Sequence, residues 1–118
     1  MGHTASPGKE GNKLLCQQAD LVENSGVCAL FEGEQIALFY LPHENPPVYG
    51  IGNFDPKGGA NVLSRGIVGD QQGELAVASP LYKHHYSLLS GRCLEDDTVE
   101  VRVYPVVLEG GAVFLLRD

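Results

Sequence analysis

From Lys13 to Leu116 the chain is a succession of short apolar runs, each cut off by glycine, proline or a cluster of polar residues. The breaks recur at roughly eight- to twelve-residue intervals, which is the spacing of an antiparallel β-sandwich or barrel. The runs are "KLLCQQ", "GVCALFE", "QIALFYL", "VYGIGN", "GIVGD", "ELAVAS", "HYSLL", "VEVRVYPVVLE" and "AVFLL". They are rich in Val, Ile, Phe and Tyr, which suit a pleated, half-buried surface. Between them stand "EGEQ", "HENPP", "DQQGE", "LSGR" and "EGGA", with Gly or Pro where a reversal needs a positive or a fixed φ. Pro105 interrupts the longest run and marks an edge strand or a bulge there. With 15 Gly, 7 Pro and no apolar i, i+3, i+4, i+7 pattern held for three turns, helix is limited to a single turn around Gly59 to Ser64.

The expected organisation is a tail over residues 1–12 and one all-β domain over 13–118. The first dozen residues are Gly, Ser, Pro and charges without periodicity. A chain of 118 residues buries enough surface to fold without a disulfide or a metal.

Charge narrows the choice of partners. Lys and Arg total 8 against 15 acidic residues, a formal charge of −7, and the basic residues are scattered. Nucleic acid and anionic membrane both demand concentrated positive charge, so neither is an expected partner. The three cysteines, Cys16, Cys28 and Cys93, form no C-x-x-C pair, and each reads as a small buried hydrophobe. Unpaired thiols, no export signal and no long apolar span point to the cytoplasm.

Short motifs add little chemistry. Gly50, Gly52, Gly58 and Gly59 match no phosphate-binding pattern and read as turn glycines. His84 and His85 are neighbours, and adjacent residues of a strand point to opposite faces, so they read as surface or half-buried histidines rather than a metal pair. Asp96 and Asp97 in "LEDDT" read as a solvated turn, and Ser79, Ser87 and Ser90 lack the G-x-S-x-G elbow of a hydrolase. No catalytic residue is assigned.

Two stretches carry a resemblance. "GNFDPKGGANVLSRG" (Gly52 to Gly66) and "SPLYKHHYSLLSG" (Ser79 to Gly91) resemble the two cluster-binding loops of Rieske iron–sulfur domains. That family supplies Cys and His from each loop, two thiolates to one iron and two imidazoles to the other. Laid against this chain, those four positions fall on Asp55, Lys57, Ser79 and Tyr82. The framework persists in Pro56, Gly59, Ala60, Leu63, Ser64 and Gly66, and in Pro80, Tyr86, Leu88 and Gly91. Neither an ammonium nor a serine hydroxyl is a ligand for such a cluster, so none is expected on this chain.

A Rieske-like domain without its ligands resembles the small-subunit family of the assimilatory NAD(P)H-dependent nitrite reductases, through "GVCALFEGEQIALFYLP", "GELAVASPLYKHHYSLLSGRCLED" and "VRVYPVVLEGGAVFL" as well as the first loop. The resemblance implies a Rieske-like β-sandwich or barrel. It further implies a role beside a large catalytic subunit that carries FAD, siroheme and an iron–sulfur cluster and reduces nitrite to ammonium. The two loops, Asn53 to Asn61 and Ser79 to Tyr86, then become the expected partner-binding surface. Phe54, Leu81, Tyr82 and Tyr86 are its apolar members, and Lys57, Lys83, His84 and His85 form its polar rim. The competing readings are a Rieske-type ferredoxin that carries electrons, and a stand-alone β domain that binds a small molecule or a metal.

Overall fold

The computed structural model describes residues 11–71, 73–81 and 84–116. Fourteen strands follow in chain order: β1 (Lys13–Gln17), β2 (Ser25–Phe31), β3 (Glu34–Tyr40), β4 (Val48–Gly52), β5 (Phe54–Asp55), β6 (Ala60–Asn61), β7 (Ile67–Gln71), β8 (Glu74–Ala78), β9 (His85–Ser87), β10 (Arg92–Cys93), β11 (Asp96–Glu100), β12 (Val103–Tyr104), β13 (Val106–Glu109) and β14 (Ala112–Leu115). The fold is all-β and the strands pair antiparallel. Among the described residues helix is confined to two 3₁₀ turns, Leu63–Arg65 overlapping the end of the expected window and Gln18–Asp20 outside it. Among the described residues no helix is long and apolar enough to cross a membrane. The tail expected over residues 1–12 lies, up to residue 10, outside the described residues.

Three sheets stack as layers. The middle one has four strands in the order β12-β4-β3-β2. Its β3 is buried on both faces, which is why "QIALFY" reads as a continuous apolar run instead of alternating. Ile36 and Leu38 point one way, into a core shared with Val48, Tyr104, Val113 and Leu115. Ala37 and Phe39 point the other way, onto Leu63, Val77, Tyr86, Leu88 and Cys93. The first face is covered by the sheet β1-β14-β13, which holds both ends of the domain, and the second by the sheet β11-β10-β9-β8-β7. Each of the large side chains buried between layers contributes about 1.5–3 kcal/mol.

The turns fix the register. Between β2 and β3 only Glu32 and Gly33 intervene, both at positive φ (51° and 81°), and Phe31 pairs with Glu34. That is the two-residue turn whose twist matches a hairpin. Pro105 stands between β12 and β13 and splits the longest apolar run into strands of two different sheets. One expectation for the cysteines is corrected: Cys93 is buried and Cys16 partly so, but Cys28 is exposed. It lies on β2, the edge strand of its sheet, next to the inward-facing Ala29, and so points outward.

Candidate functional site

The first loop leaves the middle sheet at β4 and forms a minimal hairpin, β5 with β6, in which Phe54 pairs with Asn61 and Asp55 with Ala60. Because successive strand residues face opposite ways, Phe54 and Asp55 part company. Phe54 is 48% exposed and lines a surface groove with Pro56, Asn61, Arg102 and Tyr104. Asp55 turns inward and is fully buried.

The second loop, Ser79 to His84, joins β8 to β9 in the neighbouring layer, and its ends are tied by Ser79 N–H donating to the His84 carbonyl at 2.8 Å. His84 and Tyr86 share a parity and point inward, while His85 between them points outward. Three side chains from this region converge on the Asp55 carboxylate. Ser79 Oγ donates to Oδ2 at 2.5 Å, Tyr86 OH to Oδ1 at 2.8 Å, and His84 Nε2 lies 2.9 and 3.0 Å from the two oxygens. The backbone N–H groups of Lys57 and Gly58 also donate to Oδ1, at 3.0 and 3.1 Å, the local turn that Asp favours before a Pro-x-Gly. The His84 and Tyr86 rings meet edge to face, with centroids 5.4 Å apart.

Burial alone would push the Asp55 carboxyl up; the bonds from Ser79, His84, Tyr86 and Gly58 outweigh it and hold the group well below the usual carboxylate range. Burial first, and then the bond to Asp55, push the Tyr86 phenol far up, so it stays a donor. An ionised carboxylate only accepts, so His84 Nε2 carries the proton in that contact.

Around this buried centre the surface is held by polar side-chain pairs. Lys57 Nζ reaches Asp96 at 3.0 Å, and His85 Nδ1 reaches Glu95 at 2.6 Å while its backbone N–H donates to the same carboxylate at 2.7 Å. Glu95 lies in the β10–β11 turn and Asp96 opens β11, so that hairpin forms a third side of the tip, with Leu94 exposed on it. Leu81 is 43% exposed and lies over Gly58, where an added Cβ would come within 2.5 Å of Leu81 Cδ1.

The expected partner-binding set therefore divides. Phe54, Lys57 and Leu81 are exposed and His85 partly so. His84 and Tyr86 are corrected: they are 6% and 0% exposed, because their strand parity directs them at Asp55. Tyr82 and Lys83 lie outside the described residues. What sequence reasoning missed is that Asp55 organises the site, and that Glu95 and Asp96 reach it. The Asp-Pro-x-Gly turn pattern was a usable signal for the first, whereas the 39-residue separation of Lys57 and Asp96 left none for the second.

Whether these residues fit an iron–sulfur cluster is a matter of donor chemistry. A Rieske cluster takes two thiolates and two imidazoles. At the thiolate positions stand Asp55 and Ser79, hydrogen-bonded directly to each other, so their oxygens are already spent on protein partners. At the first imidazole position the Lys57 ammonium faces Asp96 on the surface. The residues present do not fit the cluster.

Comparison with known proteins agrees with this geometry. The chain matches the family model of a Rieske-like [2Fe-2S] domain over residues 13–115. It is 44% identical over 101 residues to the nitrite reductase (NADH) small subunit of Salmonella typhimurium, covering 86% of this chain and 93% of that one. A crystal structure of a putative NADH-dependent nitrite reductase small subunit from Mycobacterium tuberculosis superposes with a TM-score of 0.82 at 39% identity, covering 91% of this chain and 95% of the other. A further match, 37% identical over 114 residues, falls within the nitrite reductase [NAD(P)H] large subunit of Klebsiella oxytoca, covering 97% of this chain and 12% of that much longer one. With its layers, its two loops and its sequence all in agreement, the chain belongs to the Rieske-like domain family and, within it, to the nitrite reductase (NADH) small subunits.

Proposed function

We propose that this chain serves in the cytoplasm as the small subunit of an NAD(P)H-dependent nitrite reductase. It supports the large catalytic subunit, which reduces nitrite to ammonium, and holds no redox cofactor of its own. The observation that carries this reading is the direct Ser79–Asp55 hydrogen bond at the positions where a Rieske domain presents its thiolates. The Klebsiella match supports the choice of partner, since there a domain like this one is part of the large chain itself. FAD, siroheme and the iron–sulfur cluster belong to the large subunit in this reading. The ferredoxin reading requires a cluster that this donor set does not suit.

Two results test the proposal. The purified chain is expected to be colourless, and stoichiometric iron and sulfide after anaerobic purification would overturn the cofactor assignment. The exposed tip is the proposed docking face, with Leu81 as its apolar anchor. Leu81→Ala is therefore expected to weaken binding to the large subunit by about 2 kcal/mol, roughly thirtyfold, with little change in melting temperature. Unchanged affinity in a folded variant would place the interface elsewhere.

A further inference from the structure

We infer that Asp55 and Ser79 are positioning residues for subunit assembly, a polar latch that sets Leu81 at the docking face. The inference rests on the proposed reading of the tip as that face.

The two loops of the tip come from different layers, and the Asp55 carboxylate joins one to the other. A two-stranded ribbon of two residues per strand is not stable by itself. Among the described residues no main-chain hydrogen bond joins 53–61 to 79–84. The link is made by side chains, through one carboxylate. Ser79 Oγ donates to Asp55 Oδ2 and at the same time accepts the Leu81 N–H at 3.2 Å, so the hydroxyl passes the position of Asp55 to the Leu81 backbone. The other oxygen, Oδ1, holds Lys57 and Gly58 by their N–H groups. Gly58 is in turn the floor on which the Leu81 side chain rests. The main-chain anchor of Leu81 and the surface beneath its side chain thus both refer to Asp55. The absence of a side chain at Gly58 lets the two pack closely, since a Cβ there would come within 2.5 Å of Leu81 Cδ1 and 2.8 Å of Asp55 Oδ2.

The test is a double-mutant cycle on affinity for the large subunit of the same reductase, with the full chain. Ser79→Ala is expected to weaken binding about tenfold on its own, the size of one hydrogen bond's effect. In a Leu81→Ala background it is expected to change affinity less than about threefold, because the side chain it positions is gone. Asp55→Asn should behave likewise. Amide hydrogen exchange of the free chain gives a second readout: in Ser79→Ala the Leu81 amide should exchange about tenfold faster and the Val77 amide, in the adjoining strand, unchanged. Equal factors in both backgrounds, or no effect of Ser79→Ala on affinity, would overturn the latch while the docking face stands. Leu81→Ala without effect would overturn the docking reading, and the latch with it.

Discussion

Asp55→Ala is expected to lower the stability of the fold by about 3–5 kcal/mol, measured as a shift in the urea midpoint at constant slope. Removing the carboxylate removes the common acceptor of Ser79, His84, Tyr86 and two backbone N–H groups in a site that excludes water. Each donor left without a partner costs about 1–3 kcal/mol, and the sum is limited by how far the loops relax toward solvent. Tyr86→Phe, which removes one donor and keeps the ring, should cost only about 1 kcal/mol. If the two variants lose the same small amount, the network is not what holds the tip together.

The same carboxylate predicts the shape of acid unfolding. Its folded-state affinity for protons is depressed, so its contribution is fully present above the unfolded-state value, near pH 4. It is lost as the pH falls from there through the lower folded value. Wild-type stability should therefore drop steeply below about pH 4, and Asp55→Asn should show a flatter curve in that window. Parallel curves for the two proteins would mean that other carboxylates govern the acid limb.

The run-and-turn pattern was enough to anticipate an antiparallel all-β fold, because each hairpin is a local object. "FEGE" announces its own turn, and the strands on either side follow from it. Strands β5, β6 and β10 escaped because two residues carry no periodicity. The loops were legible as a pair only through a family resemblance, and their chemistry was legible only in part. Asp55, Lys57 and Ser79 read as failed ligands in sequence. In three dimensions Asp55 and Ser79 have a positive role, each satisfying the other's buried polar group. Strand alternation was sufficient to separate His84 from His85, but which of them faced inward depended on the layer that covers β9, and that layer is assembled from residues far away in the chain. Long-range pairs such as Lys57 with Asp96 have no local signature at all.

Gly91→Ala should be among the most damaging single-methyl additions in the molecule. Gly91 sits at φ +79°, and a Cβ there would lie 2.1 Å from the Val101 carbonyl oxygen. The neighbouring backbone cannot move aside easily. Val101 N–H donates to the Gly91 carbonyl at 2.8 Å, and Gly91 N–H donates to Ser87 at 2.9 Å. Shifting either segment therefore breaks the bonds that tie the turn after β9 to the segment between β11 and β12. Two costs combine: about 1–3 kcal/mol for a side chain in the left-handed region, and about 1–3 kcal/mol for overpacking against a fixed main chain. Gly111→Ala separates them, since Gly111 has nearly the same φ, +82°, with open space around it. The Gly91 variant is expected to lose about twice the stability of the Gly111 variant in urea unfolding. Equal losses would show that the backbone at Val101 yields, and that the close approach of these segments is a consequence of the glycine rather than a requirement of the fold.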